Sequence, residues 1–539
     1  MINRAYPDLH DHLAALERAG LLRTIKEPVC KDTEMHPLVR WQFRGGIPEQ
    51  DRKAFLFTNI HDAKGRKYEL PVVIGALAAT PAIYAIGMGV KLDQVGLTWS
   101  RAIANPIAPR VVTQAPCHDV VVIGSDLDRH GLDTLPIPIS SPGFDAAPFL
   151  TATGCITRDP DTGVQNMGTY RAQLKGPRRL GIKMFVSLRA GGLAHWRKYK
   201  ARGERMPMAV VVGCPPAVAY LGPQKLAEGV DELGVAGGIV GHPINVVRGK
   251  TVDLLVPAEA ELVIEGLVET EYLEPEGPFG ESHGHVNLEE YNHVMEVTAI
   301  TRRRDAVIPS IISQVTPSES SVIKRVAYEP MLLEHLRDHL GIKGVVRAAM
   351  HEPLTNLRKV TILQFARGVP ETEVWRAMYG AASFQAPWSK YVIAVNEDID
   401  PDSADAVFWA IAYRANPALD SQILEHRERG HGPRSTRGET EDSALLIDAT
   451  LKGDMPPVSL PKREYMERAK ALWERLGLPP LRPEAPWHGY SLGDWSERED
   501  ALAALAAKGG WQEIGASAAQ RRRPDVAPNT LVRDVDTED

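Results

Sequence analysis

Two short stretches of the chain combine residue types that can move protons and hold acids. One reads Asn166-Met167-Gly168-Thr169-Tyr170-Arg171. The other runs Glu274-Pro275-Glu276-Gly277-Pro278-Phe279-Gly280-Glu281-Ser282-His283-Gly284-His285. In the second, Glu276 and Glu281 flank a Gly-Pro-Phe-Gly turn. Pro278 fixes its own φ, and the glycines permit turns close to a ligand. Two carboxylates held near each other repel when both are charged, so one can keep its proton near neutral pH and act as a general acid. An acidic surface turn would carry the same residues. Arg171 offers a guanidinium that binds a carboxylate through two parallel bonds and stays charged at ordinary pH; a structural salt bridge is the other reading. His283 and His285 would share one face of a strand. Two histidines are too few for a zinc site, which leaves pocket lining or packing.

These groups need a scaffold. Asp8 can cap a first helix in which Leu9, Leu13 and Leu16 recur at helical spacing, and Gly20 can end it. Strand-like runs follow at 71–74 and 120–123. From about 118 to 312 short β-branched runs dominate (209–212, 244–247, 252–256, 294–300 and 307–312), punctuated by Gly, Pro, Asn and Asp. They predict an all-β or barrel-like core, with one helix over 258–267. Beyond 320, buried strands at 360–365 and 391–395 alternate with helices at 370–379 and 403–415. Pro370 suits the first turn of one helix and Asp402 can cap the other. That alternation predicts a doubly wound α/β domain.

Bulk composition removes several function classes. A chain of 539 residues, 44% apolar and 24% charged, suits a globular protein of two to four domains. Its net charge of −7 argues against nucleic-acid binding, and the Arg521-Arg522-Arg523 cluster sits in a polar tail. Cys30, Cys117, Cys155 and Cys214 form no C-x-x-C pair, which fits a reducing compartment. The start, 1–26, has no apolar signal core. The best apolar stretch, 208–221, is short and broken by Pro215 and Pro216, so no membrane span is expected. These features predict a cytoplasmic protein. No G-x-G-x-x-G between a strand and a helix, and no G-x-S-x-G elbow, supports a dehydrogenase or a hydrolase.

The run Asn166-x-x-x-Tyr170-Arg171, the segment Gly229-Val230-Asp231-Glu232 and the run Glu276-Gly277-Pro278-Phe279-Gly280-Glu281 occur in that order and resemble the UbiD-like decarboxylases. The resemblance extends to 9–29, to 390–401 (KYVIAVNEDIDP) and to Trp487-His488-Gly489-Tyr490-Ser491-Leu492-Gly493. It implies an α+β and α/β multidomain protein. An N-terminal α/β domain would span 1–117, and a central split β-barrel domain binding prenylated FMN would span 118–317. A C-terminal α/β oligomerisation domain would span 318–515, and a polar tail without regular structure would span 516–539.

It also implies decarboxylation of an aromatic or α,β-unsaturated acid, or an aryl-CoA carboxylate, through a covalent substrate–flavin adduct, CO2 loss and protonation by Glu281. Arg171 and Glu276 would form the charged pair that positions the substrate. The cofactor would lie along Asn166, Met167, Gly168, Thr169, Tyr170 and Arg171, with Glu232, and with Lys390 near its phosphate. A divalent metal, usually Mn2+, and K+ would bridge to that phosphate, held by Asn166 and Glu232. The usual histidine ligand is replaced around 187–191 by Ser-Leu-Arg-Ala-Gly. Either His195 serves after a local shift or the metal site is altered, with Arg189 meeting the phosphate directly. A flavin prenyltransferase would supply the cofactor, and homodimers or hexamers are expected. A carboxylase working in reverse, or a non-catalytic subunit of a (de)carboxylase complex, is the alternative.

Overall fold

The computed structural model describes residues 4–184, 190–224, 226, 229–428, 441–453, 455–483 and 496–535. The first helix, Leu9–Arg18, starts where the spacing predicts it. Asp8 accepts from Asp11 N at 3.0 Å and Asp11 accepts in return from Asp8 N at 3.2 Å, a reciprocal cap. Leu9, Leu13 and Leu16 are buried, and Gly20 turns the chain with φ +71°. A four-stranded sheet follows in the order Leu22–Ile25, Ala54–Phe57, Val72–Ile74 and Ile308–Ser310. Its fourth strand arrives more than 200 residues after the third and pairs with it in parallel.

The middle of the chain builds a ten-stranded sheet. Its main path runs Gln165–Gly168, Thr153–Arg158, Met206–Val212, Leu262–Val268, Glu290–Arg302, Arg179–Ile182, Ala172–Gly176, Phe149–Leu150. Val120–Ile123 and Glu274–Glu276 pair with the long strand Glu290–Arg302 beside that path. Every one of these pairings is antiparallel. Among the described residues the ends of the path do not pair, so the sheet is open.

Two expectations for this region need correction. Residues 258–267 contain no helix; Leu262–Val268 is a strand between Met206–Val212 and Glu290–Arg302. Glu259, Glu261 and Glu265 are polar residues in this stretch, yet all three are buried with dedicated partners. Glu259 accepts from Tyr6 and Asn245, Glu261 from Val307 N, and Glu265 from Lys250, Thr251 and Val252 N. Nor is the region all-β, because helices Gly191–Arg202 and Glu232–Val240 interrupt it.

After the helix Glu319–Glu334 a five-stranded sheet runs Val345–Met350, Val360–Phe365, Tyr391–Asn396, Glu441–Asp448, Ser421–Glu428. Its two inner pairings are parallel and both edge pairings are antiparallel, so the sheet is mixed. Helix Glu371–Phe384 begins one residue after Pro370, which occupies the N-cap position.

Residues 1–397 and 415–449 form one compact unit; 398–414 and 450–539 form a second. In the second, helix Ala404–Arg414 is capped by Ser403, whose hydroxyl accepts from Ala406 N at 3.2 Å, rather than by Asp402. Helices Arg463–Arg475, Glu497–Ala507 and Trp511–Gln520 follow. The last enters the polar tail, and a short helix, Val532–Val535, lies beyond it. No helix among the described residues is long and apolar enough to cross a membrane. The stretch Trp487–Gly493 lies outside the described residues.

Glu319 joins distant parts of the first unit. Its carboxylate is buried and accepts from Gly75 N at 3.0 Å, Leu77 N at 2.9 Å, Ala78 N at 3.3 Å and Ile312 N at 3.4 Å. Burial pushes its carboxyl up to about 7 against the pull of those N–H groups. A carboxyl raised in the folded state adds stability that is fully present below its unfolded value near 4.5 and is lost as pH rises through about 7. Glu319→Gln should therefore flatten the pH dependence of stability over that window, read as urea midpoints at pH 5 and pH 8. A slope equal to the wild type's would contradict this.

Candidate active site

Arg171 leaves the sheet in the link between Gln165–Gly168 and Ala172–Gly176. Its Nε and Nη2 donate to the two oxygens of Glu276 at 2.9 and 2.7 Å, and its Nη1 donates to Glu281. Glu276 is fully buried, and the Arg171 and Glu281 side chains are nearly so. Burial works against the Arg171 charge, but the bonds to Glu276 and the field of Glu281 hold it above its ordinary range. The guanidinium thus stands between the two carboxylates that the spacing brings onto one loop. Its flat face lies 4.7 Å from the Phe279 ring centre and 5.9 Å from that of Phe149.

The loop is shaped locally. Gly277 has φ +98°, a conformation that side chains disfavour. The strand Glu274–Glu276 pairs with Glu290–Arg302 and sets Glu276 opposite Glu290. Asn292 Nδ2 adds a bond to Glu276 at 3.1 Å. Asp145 accepts from Gly280 N at 2.8 Å and from Ser140 and Ser141 N, which moors the loop's far side. Asn287 Nδ2 lies 3.4 Å from Glu281 Oε1, and Asn287 Oδ1 lies 3.2 Å from His283 Nε2. His283 therefore reaches Glu281 through one amide, and His285 packs with its ring centre 5.7 Å from that of His283.

Arg171 and Glu281 open onto a cavity of about 270 Å³. Residues Asn166 to Tyr170 and Glu232 line it too, so the structure gathers most of the sequence-predicted site. Glu232 is the first residue of the helix Glu232–Val240, capped by Asp231 through Leu233 N at 3.0 Å. Burial pushes the Glu232 carboxyl up to about 7, although it accepts from Met167 N at 3.0 Å. Among the described residues Asn166 Nδ2 is buried with no hydrogen-bond partner. A Cβ on Gly191 would lie 2.1 Å from Asn166 Oδ1, so a glycine is needed for the helix to approach. The buried Glu232 carboxylate offers oxygens that suit a hard cation, and the Asn166 N–H groups can donate to a phosphate.

Three predicted residues stand outside the lining: Glu276, buried behind Arg171, and Lys390 and His195. Lys390 is ion-paired with Asp442 at 2.7 Å, at the start of a strand. His195, in the helix Gly191–Arg202, has Nδ1 2.9 Å from the Thr157 hydroxyl, and Thr157 is the register partner of Asn166. Among the described residues no three His, Cys, Asp or Glu side chains cluster as a metal site. Residues 187–189, with Arg189, lie outside the described residues. The sequence reading missed Asn287, Asn292 and Asp145, which no local pattern marks. It also missed three further cavity cations: Lys183, Lys324 and Arg358.

Comparison with known proteins identifies the family. Residues 13–103, 110–315 and 321–449 match the N-terminal, Rift-related and C-terminal domains described for 3-octaprenyl-4-hydroxybenzoate carboxy-lyase (UbiD). The fold is similar to the UbiD-class enzyme HmfF from Pelotomaculum thermopropionicum, solved in complex with FMN. That likeness has 29% identity and a TM-score of 0.74, over 86% of this chain and 100% of that one. Vanillic acid decarboxylase from Sedimentibacter hydroxybenzoicus is similar at 23% identity and TM-score 0.73, over 88% and 100% of the two chains. For the 3,4-dihydroxybenzoic acid decarboxylase from Enterobacter cloacae the values are 22% and 0.71, over 86% and 99%. With all three domain matches in sequence order along the chain, it belongs to the UbiD family of carboxy-lyases.

Proposed function

We propose that the protein is a prenylated-FMN-dependent decarboxylase of an aromatic or α,β-unsaturated carboxylic acid. The observation that carries this reading is the buried Arg171 paired with both Glu276 and Glu281 at the wall of one cavity. HmfF was solved with FMN and, in an evolved dimeric form, with prFMN, which supports a flavin here. When bound, the prenylated flavin supplies the electron sink that lets a carboxylate leave an sp² carbon.

The chain's own residues do the rest. Glu281 holds the proton that goes to the carbon that lost CO2, a service worth about 10²–10⁴-fold. Arg171, fixed at two points by Glu276, presents its remaining edge to Glu281 and to the incoming carboxylate. Asn166 and Glu232 would hold the cofactor's phosphate end through a divalent cation, Mn2+ in our reading, with K+ beside it. The orphaned Asn166 amide and the buried, cation-free Glu232 fit that role. His195, whose ring meets the hydroxyl of Thr157, the register partner of Asn166, is the candidate third ligand. Met167, Gly168, Thr169 and Tyr170 would line the flavin, whereas the ion pair of Lys390 with Asp442 leaves it a weaker claim on the phosphate.

We read the open central sheet as the split barrel of the family, with domains over 1–117, 118–317 and 318–515. A flavin prenyltransferase would supply the cofactor, and a homodimer or hexamer would be the working form. Four buried, unpaired cysteines suit a reducing cytoplasm. Direction follows CO2 level and product removal, so carboxylation is the same chemistry reversed. An assembled Arg171–Glu276–Glu281 triad argues against a non-catalytic subunit.

The test is to co-express the protein with a flavin prenyltransferase and analyse the released small molecules by mass, together with bound metals. A prenylated FMN mass with about one divalent metal per chain is the expected result; folded protein without flavin would sink the proposal. Glu281→Gln should retain flavin and lose at least about 100-fold in CO2 release; wild-type turnover would remove its proton-donor role. Asn166→Ala and Glu232→Ala should each reduce flavin and metal occupancy, and full occupancy in both would move the phosphate site elsewhere.

A further inference from the structure

Two of the cations that line the cavity have no acid paired with them among the described residues. Arg171 is matched by Glu276 and Glu281, and Lys183 by Glu290 at 2.9 Å. Lys324 and Arg358 also line it, and among the described residues neither side chain has a hydrogen bond or an ion pair. Lys324 comes from the helix Glu319–Glu334 and is buried. Arg358 lies with its guanidinium 5.4 Å from the Trp388 ring centre, and its buried Nε has no partner. Unpaired buried cations are costly and persist where a ligand completes them.

The backbone beneath Arg358 points the same way. Leu354, Asn356 and Leu357 have φ of 63°, 54° and 59°, and Ser389, next to Trp388, has φ 55°. Leucines rarely adopt this left-handed conformation, and such strain survives only where the surroundings enforce it. Enforcement is visible. Thr316 accepts from Leu354 N at 3.2 Å and donates its hydroxyl to Glu352 O at 2.6 Å, while Ser389 N donates to Arg358 O at 2.8 Å. The strained turn therefore delivers Arg358 and Trp388 together to the cavity wall.

Position within the cavity follows from the charges that reach these groups. Burial lowers both cations from their ordinary range, each feels the field of Glu281, and Lys324 also feels Arg358. Both thus share the cavity wall with Glu281, the proposed proton donor, and stand within reach of its charge. Glu428 adds one further carboxylate to the lining.

We infer that Lys324 and Arg358 form a second anion subsite beside Glu281, so that the preferred substrate is a flat acid carrying a second carboxylate that is retained. The Trp388 and Phe279 rings supply apolar walls for such a molecule. This rests on the decarboxylase reading for the fate of the first carboxylate, but not for the binding of the second.

The test titrates protein co-expressed with a flavin prenyltransferase, as purified, with matched acids: benzoate against terephthalate and isophthalate, and pyrrole-2-carboxylate against pyrrole-2,5-dicarboxylate. CO2 release is followed on the same set. At least one diacid should bind ten or more times tighter than its monoacid. Lys324→Met and Arg358→Met should cut that ratio to twofold or less, while Lys324→Arg keeps it. A wild-type protein that binds no diacid better than its monoacid overturns the subsite. So does loss of the ratio in Lys324→Arg equal to that in Lys324→Met, which would indicate packing rather than charge. Competition by inorganic phosphate without any diacid preference also overturns it, assigning the cations to a phosphate. Tight diacid binding without CO2 release leaves the subsite standing and refutes the decarboxylase reading instead.

Discussion

A guanidinium taken out of water has to be answered by negative charge at hydrogen-bonding distance, and the site is organised around that requirement. Arg171 is answered twice, by Glu276 through both of its oxygens and by Glu281. Breaking such a pair from one side strands a buried charge, at a cost of about 3–5 kcal/mol. The register of Glu274–Glu276 against Glu290–Arg302 and the mooring of Gly280 by Asp145 therefore have to be right together. The antiparallel sheet provides that rigidity, since Arg171 and the glutamate loop arise from segments about a hundred residues apart yet meet within one set of strands.

The cavity wall carries both polar groups and cations. Near Asn166 the buried groups are a carboxylate and an amide, able to share oxygens with a cation or amide protons with a phosphate. Lys324 and Arg358 share the cavity with Glu281, whose field offsets part of the cost of their burial, and Phe279 and Trp388 add aromatic surface to the same wall.

Much of this was legible because charge and turn chemistry are local. The Glu-Gly-Pro-Phe-Gly-Glu turn, Arg171 and the first helix with its Asp8 cap are written in contiguous residues. What could not be read was set by distant neighbours. The stretch 258–267 looks helical because polar glutamates interrupt its apolar residues, but Glu259, Glu261 and Glu265 are each buried against a partner elsewhere in the chain. Lys324 sits on a helix directly before Arg325, where a lysine ordinarily reaches water. Arg358 is aimed by a strained turn that no propensity favours. Lys390, chosen by resemblance, meets Asp442 because the strand Glu441–Asp448 runs alongside its own.

The carboxylate of Glu319 has an implication for synthesis. Gly75 N waits for an acceptor 244 residues downstream, and Val72–Ile74 likewise waits for Ile308–Ser310. At roughly 5–20 residues per second, a ribosome needs on the order of ten to fifty seconds to cover that distance. During that interval the nascent N-terminal strands present an unpaired edge, the kind of surface on which polysomal neighbours stick to one another. The long central insertion thus makes this a chain whose yield in a cell depends on translation speed and on chaperones that shield an unfinished sheet.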